Sequence, residues 1–247
     1  MNEAKTLISL NIDNLTSLWK TVSIPYHSYF SESRFDYCFI KDFEWPNRLW
    51  FHKDLSQEIV SSTTEKIVSI SSALTIPYWD IYGQKILEIF ESEGYVNQFE
   101  QVGMSLKLDK LLKVEDNLNI QIVSKKSDAI LWSQLFESSF GYKIHPEILI
   151  ESWKKIDYYL AYSQDLAVGT AIAYKTNTVM GVHSVGIPTK MRRKGYAKQI
   201  VKLLINSAVK DGCDYMTLQA SDMGKNLYLK LGFQEDFVIK NYKLRQD

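Results

Sequence analysis

Between Val185 and Ala197 the sequence reads Val-Gly-Ile-Pro-Thr-Lys-Met-Arg-Arg-Lys-Gly-Tyr-Ala: a β-type run broken at Pro188, a basic loop and the opening of a helix. Arg192, Arg193, Lys194 and Gly195 stand directly before Tyr196 and Ala197. Main-chain N–H groups at a helix start have no intrahelical partners and carry the positive end of the helix dipole, so this pattern suits phosphate oxygens. Glycine lets the backbone come close to an anion, and the cations add formal charge. The Gly-Lys-Ser/Thr ending of a P-loop is missing, as is the G-x-G-x-x-G of a dinucleotide turn. A basic turn before a helix is also a common solvated surface feature.

A second string stands further along, Asn226-Leu-Tyr-Leu-Lys-Leu-Gly-Phe233. In R-x-x-G-x-A at Arg192, Gly195 and Ala197, directly after Val-x-Ile-Pro, and in this second string, the chain resembles the GNAT superfamily of acyl-CoA-dependent N-acetyltransferases. The signatures of that family are Q/R-x-x-G-x-G/A and L-Y-x-K-x-G-F. The resemblance covers residues 118–247 well and residues 1–114 in outline.

The resemblance implies acetyl-CoA, or coenzyme A after transfer, as co-substrate, an amine-bearing acceptor and no metal. It implies that the pyrophosphate lies on Arg192, Arg193, Lys194, Gly195, Tyr196 and Ala197, with the pantetheine along the strand at Val185 and Ile187. Ser221 takes the place where the family often has an asparagine, and Asn226, opening the second string, is grouped with the coenzyme contacts. Tyr228 occupies the family's acid position, where a phenol can protonate the departing thiolate. His183 lies on the strand where many members carry a glutamate. It is the candidate base, because an alkylammonium titrates near pH ~10 and must lose a proton before attack. The competing readings are a packed strand histidine and a half-buried helix tyrosine.

Composition bounds the alternatives. The chain has 247 residues, 45% hydrophobic and 23% charged, which is ordinary globular usage and enough for two domains. With 29 basic and 29 acidic side chains the net charge is 0, so no global field draws nucleic acid or an acidic membrane. Two cysteines, Cys38 and Cys213, without C-x-x-C spacing, and four histidines argue against a disulfide framework and a structural zinc site. The expectation is a cytoplasmic protein without signal peptide or membrane span.

Periodicity places the elements that must carry these residues. Leu15, Leu18, Trp19 and Val22 recur at helical spacing before Pro25. Residues 35–40 and 48–51 read as strands around Trp45-Pro46-Asn47, and residues 67–70 and 74–76 also look extended. The tryptophans read as core, with a substrate cage as the alternative. A helix over Gln84–Ser92 ends at Gly94. Val114-Glu115-Asp116-Asn117 closes the first unit.

The second unit begins with a strand at Ile120, a helix capped by Ser127, and a helix opened by Pro146 that carries Trp153. A hairpin over residues 158–174 and a strand over residues 179–187 follow. A helix from Tyr196, a strand over residues 215–219, the Tyr228 helix and a last pair of strands complete it. Gly94-Tyr95 and Gly232-Phe233 both follow a helix and precede a strand, at an offset of 138 residues that also relates Leu106 to Leu244. At that offset Phe90 matches Tyr228. The matching cradle region near Asp54-Leu55-Ser56-Gln57 has no glycine and no basic cluster.

The fold expected is α/β with a mixed α+β sheet: a tandem GNAT-like acyl-CoA N-acyltransferase fold, its central sheet mostly antiparallel and flanked by helices. Residues 1–114 would form a degenerate first domain and residues 118–247 the catalytic one. The function expected is acetyl transfer to a primary amine of a small molecule or protein, in a monomer or homodimer. Phe140, Tyr142, Trp153 and Tyr242 are candidates for the acceptor wall. The alternatives are a non-catalytic acyl-CoA sensor or scaffold and a nucleic-acid binder through Arg192-Arg193-Lys194, which the neutral charge disfavours.

Overall fold

The computed structural model describes residues 3–52, 55–70, 74–81, 85–115 and 117–245; the expectations for Asp54, Gln84 and Asp116 lie outside the described residues. The first half runs α1 (Glu3–Ser23), β1 (Tyr29–Ser31), β2 (Phe35–Cys38), β3 (Arg48–Phe51), α2 (Gln57–Ile70), β4 (Ile76–Trp79), α3 (Lys85–Ser92) and β5 (Tyr95–Lys107). The second half runs β6 (Asn119–Ile122), α4 (Lys126–Phe140), α5 (Pro146–Ser152), β7 (Asp157–Ser163), β8 (Leu166–Thr176) and β9 (Val179–Gly186). It ends with α6 (Tyr196–Lys210), β10 (Tyr215–Ala220), α7 (Asp222–Leu229) and β11 (Gln234–Leu244). Among the described residues no helix is long and apolar enough to cross a membrane.

Three local expectations differ from the structure. Residues 67–70 are the last turn of α2 and not a strand; Val60, Thr63 and Ile67 bury one helical face, and that packing overrides the β-branched composition. Helix α4 is capped at Lys125, with Ser127 already inside its first turn. The chain ends in one long bulged strand, β11, and the neighbour expected beside it from the C-terminus is β5 from the first half.

The large sheet has eight strands in the order β4-β11-β5-β10-β9-β8-β7-β6, and β1-β2-β3 form a separate small sheet. The pairs of the large sheet are antiparallel except β9 with β10. Each half sends its last strand into the territory of the other: β5 pairs with β10, and β11 pairs with β4. The two exchanged strands run side by side from Gln234 opposite Ser105 to Leu244 opposite Tyr95.

Strand alternation gives the sheet two buried faces. Tyr158, Leu160 and Ile172 pack with α1, α4 and α5, whereas Tyr159, Ala161, Ala171 and Ala173 pack with α6. The stripe Ile200, Val201, Leu204, Ile205 and Ala208 of α6 is buried there. A third cluster, around Phe90, joins α2, α3, β2 and β3 to Tyr242 of β11. Burying such side chains stabilises by roughly 1.5–3 kcal/mol each.

Helix α1, from the first half, is fastened to β5 and to the second half through polar groups. Asn11 and Asn14 are fully buried on its inner face. Asn11 donates to the carbonyls of Met104 (3.0 Å) and Leu218 (3.2 Å). Asn14 donates to the carbonyl of Tyr174 and to Thr176 Oγ1, both at 2.9 Å. Buried amides need such partners, since an unmet one costs about 1–3 kcal/mol.

Candidate active site

β9 and β10 pair only from Val179 opposite Tyr215 to Gly181 opposite Thr217. Beyond that point they part into a fork, β9 continuing to Gly186 and β10 to Ala220. An open strand edge of this kind offers main-chain groups to an extended ligand chain. Within the fork β9 carries one extra residue against β8: Thr170 faces Gly186 while Ile172 faces His183, and Ser184 has φ 55°. A bulge of this sort re-aims the backbone beside a site.

The basic loop follows β9 at the open end of the fork. Pro188 leads a short 3-10 turn, Thr189–Met191, and Gly195 caps α6 at φ 80°. That backbone angle favours glycine, and a Cβ on Gly195 would meet no atom within 4 Å, so the α6 N-terminus opens onto free space. Arg193, at φ 65°, and Lys194 are exposed. Arg192 is engaged: its Nε donates to the Ile187 carbonyl at 3.0 Å and its Nη2 to the Ser139 carbonyl at 2.9 Å. It ties the loop to the end of β9 and to the last turn of α4.

On the opposite arm of the fork, Ser221 caps α7, its Oγ accepting from the Gly224 N–H at 3.3 Å. Tyr228, the penultimate residue of α7, lies half-buried with its ring 5.7 Å from Phe233 at 70°. Burial pushes its phenol up to about 12, so it carries its proton throughout the neutral range.

His183 sits at the root of the fork, and both ring nitrogens are engaged. Nδ1 lies 2.9 Å from Gln219 Oε1 and Nε2 lies 3.1 Å from Asn14 Oδ1. Gln219 is oriented by donating from Nε2 to Asn11 Oδ1 at 2.7 Å, and both asparagines are held by main-chain carbonyls. A neutral imidazole has one N–H and satisfies one of these two amide oxygens; a second proton is opposed by burial, which holds the pKa down at about 4. Gly181 is required beside this group, because a Cβ there would fall 1.7 Å from Asn14 Oδ1.

The fork opens into a cavity of about 950 Å³, within the range of ligand sites. His183, Val185, Ile187, Ser221 and Tyr228 stand on its wall, as do Arg192, Arg193, Gly195, Tyr196 and Ala197 from the loop. Lys194 and Asn226 are exposed and lie off this wall. Phe140 and Tyr142 line the cavity, whereas Tyr242 is buried in a stack on Phe90 (4.6 Å, 8°) and Trp153 packs against the α4–α5 core.

The first half supplies much of the remaining wall, including Leu18, Trp19, Trp45, Arg48 and Pro77. Sequence reasoning missed Gln219, Asn14 and Arg48. Asn11 and Asn14 did carry a signal, being polar residues three apart on the apolar stripe of Leu15 and Leu18.

Residues 128–233 match the model of the acetyltransferase (GNAT) family. That match makes the greater part of the second half a GNAT acetyltransferase domain. No curated protein matches the chain in sequence. Among solved structures it is similar to a GCN5-related N-acetyltransferase from Kribbella flavida, with TM-score 0.70 and 12% identity over 92% of this chain and 95% of that one. A GCN5-related N-acetyltransferase from Sphaerobacter thermophilus gives TM-score 0.66 and 16% identity over 87% and 78% of the two chains. A conserved Staphylococcus epidermidis protein described as functionally unknown gives 0.65 and 14% over 88% and 93%. These likenesses extend through both halves, so the two-part architecture is a shared fold.

Proposed function

We propose that the protein is an N-acetyltransferase that moves the acetyl group of acetyl-CoA to a primary amine held in the same cavity, by direct attack in a ternary complex. The observation that carries this reading is the continuity of three features on one cavity wall: the open α6 N-terminus, the fork edge of β9, and the Tyr228 phenol. Residues 118–247 supply the coenzyme side, and residues 1–114 are a degenerate partner that shapes the acceptor side. Two free buried cysteines agree with a reducing, cytoplasmic setting.

Acetyl-CoA supplies the activated acyl group as a thioester. The α6 N–H groups, Arg193 and Gly195 hold the pyrophosphate, and the main chain at Val185 and Ile187 holds the pantetheine. Ser221 keeps a hydroxyl proton available to the same arm. Tyr228 donates a hydrogen bond to the sulfur as charge builds there. A phenol near 12 is a weaker acid than a thiol near ~8.5, so full proton transfer from Tyr228 is favourable only while it recovers the proton shed by the acceptor nitrogen. His183, with both nitrogens engaged and low basicity, positions Gln219 and Asn14, and water in the cavity carries the amine's first proton away. Holding amine and thioester together contributes most of the rate.

Calorimetric titration with coenzyme A, followed by thiol release from acetyl-CoA over a panel of amines, amino acids, aminoglycosides and peptides, tests the reading. One site per chain and amine-dependent thiol release are expected. Coenzyme binding without turnover on any amine would leave a sensor or scaffold, and two equal sites would overturn the reading of a single cradle.

A further inference from the structure

The acceptor side of the cavity contains an arginine with no counter-ion among the described residues. Arg48 opens β3 in the first half and lies on the cavity wall beside Thr75, Tyr142 and Trp45. Its Nη1 donates to the carbonyls of Pro46 (3.2 Å) and Asn47 (3.1 Å). These bonds fix the guanidinium plane, and among the described residues nothing accepts from its Nε–Nη2 edge. Among the described residues Arg48 enters no ion pair, although five lysine–carboxylate pairs occur elsewhere.

Among the described residues the one acidic side chain on that wall, Glu44, accepts at Oε2 from the Lys143 N–H at 2.7 Å. Burial weakens the charged form of Arg48, with the neighbouring Tyr142 and Cys38 acting the other way. A partly desolvated guanidinium without a carboxylate is costly in the free protein and becomes favourable when an anion meets its open edge. That edge, two parallel N–H groups in one plane, matches a carboxylate. Leu18, Trp19, Trp45, Pro77, Phe99 and Ile239 give the same cavity apolar surface, beside the polar Gln101 and Asn241.

We propose that Arg48 is the recognition group for a carboxylate on the acceptor, so that the acceptor is a small amine bearing a free carboxylate and an apolar body, of amino-acid type. This rests on the acetyl-transfer reading of the same cavity. It also gives the first half a role in substrate choice: the carboxylate receptor comes from β3, and the coenzyme cradle comes from the second half. Lys243, on the same wall, adds positive potential and no second fork.

The test pairs each of a set of apolar amino acids with its carboxamide, measuring thiol release from acetyl-CoA and, separately, calorimetric binding to the coenzyme A complex. At least one amino acid is expected to exceed its amide in kcat/KM by on the order of 10 to 100-fold, the effect of charge-assisted hydrogen bonds. In Arg48→Gln that ratio is expected to collapse towards one, mainly through KM, with coenzyme A affinity unchanged as the control for folding. Arg48→Lys, which keeps the charge and loses the fork, is expected to fall between.

Equal use of amino acid and amide by the wild type overturns the proposal, as does an equal loss on both in Arg48→Gln. Preference for phosphoethanolamine over every amino acid would move the recognised group to a phosphate and overturn the carboxylate assignment. If no amine is acetylated, the transfer reading fails on its own. Binding then decides Arg48: amino-acid binding lost in the amide and in Arg48→Gln sustains the receptor, and no amino-acid binding ends it.

Discussion

His183 Nδ1 and Gln219 Oε1 lie 2.9 Å apart across the root of the fork where β9 and β10 separate. The bond closes a chain that begins at main-chain carbonyls bound by Asn11 and Asn14 of α1, so a helix of the first half holds open the cleft of the second.

This arrangement has a pH signature. The folded pKa of His183, about 4, lies below its ordinary 6.5, so between those values the unfolded chain binds a proton that the folded chain refuses. Stability from this group is therefore complete above pH 6.5 and falls as pH drops towards 4. Urea denaturation at pH 7.5 and pH 5 is expected to show a wild-type loss about 2 kcal/mol larger than that of His183→Gln. Parallel losses would show that folding leaves the pKa of His183 unchanged.

Tyr228→Phe keeps the ring against Phe233 and removes the proton donor. We expect kcat to fall by roughly 10² to 10⁴-fold with acetyl-CoA affinity nearly unchanged, measured by steady-state kinetics and calorimetry. Because the phenol titrates at about 12, no activity should be lost through Tyr228 between pH 7 and 10. Wild-type turnover in the variant would assign thiolate protonation to water.

The two neighbouring arginines should behave differently. Arg193 is exposed beside the cradle, so Arg193→Glu is expected to weaken coenzyme A binding, more at low salt than at high, with the melting temperature unchanged. Arg192 holds two carbonyls, so Arg192→Ala should lower the melting temperature together with the affinity. Identical behaviour of the two variants would contradict the separate roles.

Residues 118–247 expressed alone lack β5 and α1. Without β5 the edges of β10 and β11 are unpaired, and without Asn14 the His183 ring loses a partner. This piece is expected to aggregate or to unfold without a cooperative transition, as followed by circular dichroism and denaturant titration. Cooperative unfolding of the isolated piece would show that the second half is self-sufficient.

What the sequence determined by itself is local. The left-handed glycine before α6, the cations beside it and the helix-Gly-aromatic endings are properties of consecutive residues, governed by backbone sterics and helix-end electrostatics. The likeness of the two helix endings was legible for the same reason. At the offset of 138, Phe90 meets Tyr95 edge-on (5.3 Å, 86°) as Tyr228 meets Phe233 (5.7 Å, 70°), and Gly94 and Gly232 share a positive φ.

Only the tertiary structure decided that β5 and β11 would trade places, because strand pairing depends on which edge the completed chain leaves open. It also decided the surroundings of His183 and Arg48. Asn14 reaches His183 across 169 residues, and Arg48 borders a cavity that Phe140 and Tyr142 of the second half also line. Whether a histidine is a free base or an engaged one, and whether an arginine is paired, depends on neighbours that only folding assembles.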